Sequence, residues 1–390
     1  MKKKFQILAL VLGISLLGCS CTSQRQNEGE PLQEHVNSAG GKENENQDNL
    51  DVLRPTAYSD VQDLRLDPGT YISIIGKYND NSYWEQVEKG AERAIEDIND
   101  MLDYEGDDKV KLVFSAPGIR DDIDEQVSIL DEELARYPNA ICIAPVDISA
   151  CLTQFELADQ DGIPIITFDS GSEYHDVTAH ISTNNVEASA TAAKEMASLL
   201  GYSGDVAVFL HDSFSMTAID REEGVLNELE KHSGINVVEV YHMDELEEVA
   251  ELIAEEKNIN LTEEDEDWVS IEDISQEDVV AYILEQNPDL EGIYASNLET
   301  TQLLAEVLEE QDYEDVVFVG FDGGEKQLEL LEDDIVDGLI LQNPYGMGYA
   351  TVVAAARTIL DIGNEAFIDS SYAWLTKANM EDPIIQKFIY

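Results

Sequence analysis

The sequence predicts an α/β protein of two lobes, each a parallel sheet flanked by helices. Short β-branched runs alternate with helical patterns, the order in which crossover helices join parallel strands. The runs are apolar at successive rather than alternate residues, which suits strands covered on both faces. At 390 residues the chain is too long for one small core. A polar stretch, Ser182-Thr183-Asn184-Asn185, separates two series of similar build. A single nine-stranded sheet is the less economical alternative.

At the amino end, Lys2, Lys3 and Lys4 precede an apolar stretch over residues 5–17, too short to span a bilayer as a helix. Residues 1–18 are therefore expected to be a signal peptide that is removed. The stretch closes on Leu16-Leu17-Gly18-Cys19, which resembles the bacterial lipoprotein box and marks Cys19 as the expected lipidated first residue of the mature chain. Pairing of Cys19 with Cys21 would need a strained short loop. Residues 19–67 are rich in Gln, Asn, Glu, Ser and Gly with hardly any apolar periodicity, so they read as a flexible tether.

Strands are predicted at residues 71–76, 110–115, 140–144, 164–168, 205–210, 236–241, 291–296, 315–320 and 337–342. Between the first two, Trp84, Val87, Ala91, Ala94, Ile95 and Ile98 recur at helical spacing and predict a face packed on the sheet. Residues 244–278 hold 16 acidic residues against a single Lys, and their middle, 258–275, reads as a solvated insertion on a surface loop. Trp268 within it has no explanation in the sequence. Cys142 and Cys151 fall in apolar patterns and read as buried, inert thiols. No Cys/His spacing suits a metal, so neither a metal nor a cofactor is expected.

Composition narrows the function. The chain carries 22 Lys plus Arg against 83 Asp plus Glu, a formal net charge of −61. Such a surface repels phosphate backbones, so nucleic acid is excluded as a partner. No nucleophile elbow, phosphate loop or dinucleotide fingerprint is present, and the chain is read as no enzyme, with no catalytic residue. Carboxylates that could form a glycosidase pair are better explained as a solvated charge run.

In open parallel sheets, ligands meet the carboxyl ends of the strands. There the sequence places Asn81, Ser82, Tyr83 and Trp84, then Asp169 and Ser170, Asn297, Asp322, and Gln342, with Arg221 in a following helix. Amides and carboxylates orient hydroxyl groups, and aromatic rings cover the CH faces of a sugar. Each residue has a plainer reading: Tyr83 and Trp84 as helix-face core, Asp169 and Asp322 as turn or cap residues, Arg221 as half of a surface pair with Glu.

The ordered set Asn81-Ser82-Tyr83-Trp84, Gly162-Ile163-Pro164-Ile165-Ile166-Thr167-Phe168-Asp169, Arg221-Glu222-Glu223-Gly224, Tyr294-Ala295-Ser296-Asn297, Val319-Gly320-Phe321-Asp322-Gly323 and Gln342 resembles the type 1 periplasmic binding proteins. The likeness is to their ribose- and galactose-type branch. It implies two Rossmann-like lobes joined by a three-stranded hinge: residues 68–183 with 343–371, and residues 184–342 with 372–390. It also implies ligand-binding roles for Asn81, Tyr83, Trp84, Asp169, Arg221, Asn297, Asp322 and Gln342. Ser170 stands where that branch has Arg, and Ala144 where it has a polar residue, so the ligand differs in some substituent. The implied function is that of a monomeric extracytoplasmic protein, lipid-anchored on the outer face of the membrane, that closes on a monosaccharide-like ligand and delivers it to an ABC transporter permease. The alternative is a sensing lipoprotein that presents a sugar or furanose-type signal to a membrane receptor or histidine kinase.

Overall fold

A computed structural model describes residues 46–262, 265, 267–311 and 316–390; the signal-type segment and Cys19 lie outside the described residues. The strands are β1 (Tyr71–Ile75), β2 (Lys111–Ser115), β3 (Ala140–Ile143), β4 (Ile165–Phe168), β5 (His180–Ser182), β6 (Gly204–Leu210), β7 (Ile235–His242), β8 (Gly292–Ala295), β9 (Val317–Phe321), β10 (Gly338–Gln342), β11 (Phe367–Asp369) and β12 (Tyr372–Leu375). They form two six-stranded sheets, in the orders β11-β5-β4-β3-β1-β2 and β12-β10-β9-β8-β6-β7. Pairing is parallel throughout the first sheet, and the second departs from it only where β12 runs antiparallel to β10. Nine strands match the sequence expectation. The other three, β5, β11 and β12, are 3 or 4 residues long and lie outside the predicted runs.

The chain passes between the sheets three times: after β5, after β10 and after β11. These crossings are bonded to one another. Thr183 Oγ1 donates to Gln342 Oε1 at 2.9 Å, and Asn343 Nδ2 donates to the Ser370 carbonyl at 3.1 Å. Each sheet is backed by a closely packed helix pair. Helix Pro344–Ile359 lies so near helix Ser82–Leu102 that a Cβ on Gly348 would sit 1.9 Å from the Val87 carbonyl oxygen. In the other lobe a Cβ on Gly224 would sit 2.2 Å from the Val186 carbonyl oxygen. Only glycine permits such backbone contact.

The acidic segment lies between helices Glu247–Lys257 and Gln276–Gln286 and is mostly exposed where it is described. Cys142 and Cys151 are buried free thiols, and burial pushes the Cys151 thiol up to about 12.

The expected tether needs correction. From residue 46 onward the chain is folded onto the body, with a short helix Gln47–Asp51 and a 3-10 turn Thr56–Tyr58. Leu50, Leu53, Tyr58, Leu64 and Leu66 are buried in the first lobe's core, whereas Val52 joins the core of the second. The segment also crosses the hinge. Arg54 and Asp369 exchange backbone hydrogen bonds at 3.0 and 2.9 Å, Ser371 Oγ donates to the Val52 carbonyl at 2.6 Å, and Asn343 Nδ2 donates to the Asn49 carbonyl at 2.7 Å. Its apolar residues follow neither a helical nor a strand period, because they anchor irregular chain to a preformed surface. Leu53 is fully buried, so Leu53→Ala should lower the unfolding free energy by about 2–5 kcal/mol, the usual cost of a core Leu truncation. Denaturant melts check this; an unchanged midpoint would restore the tether reading for this segment.

Candidate functional site

The carboxyl ends of both sheets open onto one cleft. On the first-lobe side, β1 runs through Lys77 and Tyr78 to Asn81, the N-cap of helix Ser82–Leu102. The Asn81 Oδ1 accepts the Trp84 backbone N–H at 3.0 Å, which fixes the carboxamide with its NH2 turned outward. Tyr83 and Trp84 follow in the first turn, their rings 5.4 Å apart and edge to face, and Trp84 meets Phe168 at 6.2 Å. Both belong to the core cluster and also line the cleft, so the core and site readings apply together.

Beyond β4, Asp169 takes a left-handed conformation (φ 57°) and caps no helix. Its Oδ1 accepts from the Tyr83 hydroxyl at 2.6 Å, and its Oδ2 lies 3.7 Å from Lys77 Nζ. Burial, reinforced by the Asp169 carboxylate, holds the Tyr83 phenol well above its usual range, so it stays a neutral donor.

On the second-lobe side, Arg221 is buried within helix Met216–Leu229 and does not form a surface pair. Its Nε donates to Asn185 Oδ1 at 2.8 Å, its Nη1 to the Ser296 carbonyl, and its guanidinium lies 4.3 Å from the Phe321 ring centroid. Asp322 follows β9 in a left-handed conformation (φ 74°) and is likewise no helix cap. Its Oδ1 accepts from Gln342 Nε2 at 2.7 Å. Burial pushes the Asp322 carboxyl up to about 6, against the opposing pull of Arg221 and the Gln342 hydrogen bond. Because Gln342 Oε1 also accepts from Thr183, this one amide ties the hinge to the site. Asn297 is the N-cap of helix Leu298–Glu310, with Oδ1 accepting from the Thr300 N–H at 2.9 Å.

All of the sequence-expected site residues line this cleft except Ser170. After the left-handed turn at Asp169, Ser170 is buried, and its Oγ meets no hydrogen-bond partner among the described residues. The cation beside Asp169 comes instead from Lys77, whose Nζ also donates across the cleft to Thr217 Oγ1 at 3.4 Å.

Sequence reasoning missed this residue, and with it Arg120 and Asp121 after β2, His211 and Asp212 after β6, and Glu299 after β8. Applied also to the ends of β2 and β6, the strand-end rule could have found Arg120, Asp121, His211 and Asp212. His211 accepts or donates to Ser296 Oγ at 2.7 Å through Nδ1 and to Thr217 Oγ1 at 3.2 Å through Nε2. Burial holds its pKa well below the usual imidazole range, against the opposing pull of Asp212, so the ring is neutral at neutral pH.

Two sheets whose strand ends face one cleft have known relatives. Residues 72–364 match the family model described as a periplasmic binding protein domain. The ribose import binding protein of Bacillus subtilis (strain 168) is 24% identical over 236 residues, 60% of this chain and 68% of that protein. A xylitol-binding protein of Mycolicibacterium smegmatis is 23% identical over 283 residues, 72% of this chain and 73% of that one. Among solved structures, a carbohydrate transporter solute-binding protein from Agrobacterium radiobacter in complex with D-arabinose superposes with a TM-score of 0.68 at 26% identity, covering 82% of this chain and 99% of that one. The fold is shared as well with an ABC transporter solute-binding protein from Agrobacterium vitis with bound D-fucose, at TM-score 0.68 and 23% identity over 82% of this chain and 100% of that one. With its strand ends facing a common cleft and more than half of its length matched by the family model, the chain belongs to the periplasmic binding protein domain family.

Proposed function

We propose that this protein captures a small neutral polyhydroxylated ligand, a monosaccharide or sugar alcohol, between its two lobes and delivers it to an ABC transporter permease. The observation that carries the reading is the make-up of the cleft. Donors that cannot accept (Lys77, Arg221) and acceptors at Asp169 and Asp322 stand on both lobes beside the Tyr83 and Trp84 rings. A hydroxyl group satisfies both kinds at once, donating to a carboxylate and accepting from a cation. The names of the relatives, for ribose, xylitol, arabinose and fucose, point to the same class.

Charge selects within that class. Among the described residues, the cleft is lined by three cationic side chains, Lys77, Arg120 and Arg221, and five carboxylates, Asp121, Asp169, Asp212, Glu299 and Asp322. At neutral pH the balance is negative, and a sugar acid would meet repulsion. In this reading the protein works as a monomer, held at the outer face of the membrane by lipid on Cys19, and returns its ligand chemically unchanged.

A thermal-shift panel of pentoses, hexoses, sugar alcohols and uronic acids tests the class. Neutral polyols should raise the melting temperature as mass action requires, with the uronic acid of the best hit bound at least about tenfold more weakly. Stabilisation by amino acids or peptides alone would overturn the reading, as would conversion of a bound sugar detected by chromatography.

Asp322 supplies a second test. A carboxyl raised in the folded state costs stability as pH climbs from its unfolded value through its folded value, here from about 4 to about 6. Asp322→Asn keeps an acceptor for Gln342 and removes that cost. The unliganded variant should be about 1–3 kcal/mol more stable than wild type at pH 7, with no difference below about pH 4. Its affinity for the panel's best neutral hit should fall about ten- to hundredfold at pH 7. Wild-type affinity should fall as pH drops through about 6, and this dependence should vanish in the variant. Unchanged affinity in calorimetric titrations would remove Asp322 from the site.

A further inference from the structure

The amides of Asn81 and Asn297 start one helix in each lobe, and each has its oxygen committed to its own helix, at Trp84 N–H and Thr300 N–H. Their NH2 groups converge on a single carboxylate. Asn81 Nδ2 donates to Glu299 Oε1 at 2.8 Å, and Asn297 Nδ2 donates to Glu299 Oε2 at 2.7 Å. Arg120, from the first lobe, brings Nη1 to 3.9 Å of Oε2. Oε1 thus faces the first lobe's cap, and Oε2 is shared between the second lobe's cap and Arg120 of the first.

We propose that Glu299 is a positioning residue that clasps the two helix caps together, so that closing the cleft and orienting both cap amides become one event. Charge makes the clasp selective for the closed arrangement. The carboxylate sits at the amino ends of helices Ser82–Leu102 and Leu298–Glu310, where backbone dipoles favour an anion. When the lobes part, Glu299 keeps its own helix end and Asn297 but loses Asn81, Arg120 and the second helix end, and water replaces them. Charge-assisted hydrogen bonds to a carboxylate are about twice as strong as neutral ones, so the difference falls on the closed side.

The clasp also sets what the site offers. Each amide has one N–H bound to Glu299 and one lone pair of its oxygen bound to backbone, which leaves one N–H and one lone pair still to be satisfied. A glutamine at 299 cannot substitute. Its NH2 would face one of the two asparagine NH2 groups, donor against donor.

The test needs no ligand, so it fails or succeeds independently of the sugar reading. Small-angle X-ray scattering is recorded on ligand-free chains that differ only at positions 299 and 81, alongside ligand-free melts. Glu299→Ala and Glu299→Gln should each give a larger radius of gyration than wild type with near-native melting temperatures. Asn81→Ala combined with Glu299→Ala should open the protein no further than Glu299→Ala alone, because that change already removes the Asn81 contact. In ¹⁵N-asparagine-labelled protein, side-chain amide signals assigned through the Asn81 and Asn297 variants should exchange more rapidly in Glu299→Ala. A radius of gyration equal to wild type in both Glu299 variants overturns the proposal, as does full additivity of the double variant or unaltered amide exchange. If Glu299→Ala fails to fold, the same readings on Glu299→Gln decide.

Discussion

Strand direction is the constraint on which the rest of this molecule depends. Because nearly all strands in each sheet are parallel, every carboxyl end emerges at one edge, and the helix that follows begins there with unpaired N–H groups. Polar residues are required at that edge simply to finish the helices. Asn81 and Asn297 show the economy of the arrangement: each caps a helix with its oxygen and presents its NH2 to the cleft. Three chain crossings then set two such edges face to face, and a site arises from residues that local folding already demands.

The cleft is also where the fold tolerates conflict. Asp169 and Asp322 both adopt left-handed backbone conformations, uncommon for residues other than glycine. Buried charges there are compensated piecemeal: Arg221 by an amide, a carbonyl and an aromatic face, Asp322 by the Gln342 amide. Leaving these groups partly satisfied costs stability in the ligand-free protein and leaves donors and acceptors for a ligand to complete. Stability is recovered away from the cleft, in the glycine-mediated helix contacts and in the amino-terminal segment that joins both lobes' cores across the hinge.

The α/β architecture and nine of the strands were legible because buried parallel strands leave apolar runs long enough to register, and about half of the residues lining the cleft lie in the motifs that the sequence displays. Three short strands were not, since runs such as His180–Ser182 carry no period. Ser170 misled because adjacency in sequence to Asp169 suggested adjacency in the cleft, and the backbone turn at Asp169 separates them. Lys77 and Glu299 escaped because a lone charge in so acidic a chain reads as surface. Leu50, Leu53 and Tyr58 escaped for a related reason: irregular chain that docks on a finished core obeys that core's geometry rather than any period of its own.

The central claim is that one ligand is held simultaneously by strand ends of both lobes. Hydrogen–deuterium exchange read by mass spectrometry, with and without the best neutral hit of the polyol panel, tests it most directly. The account predicts slowed exchange in peptides covering Lys77 to Trp84 and Asp169 of the first lobe and, at the same ligand concentrations, in those covering His211 to Arg221, Asn297 to Glu299 and Asp322 of the second. Protection confined to one lobe, or found only away from the cleft, would contradict it.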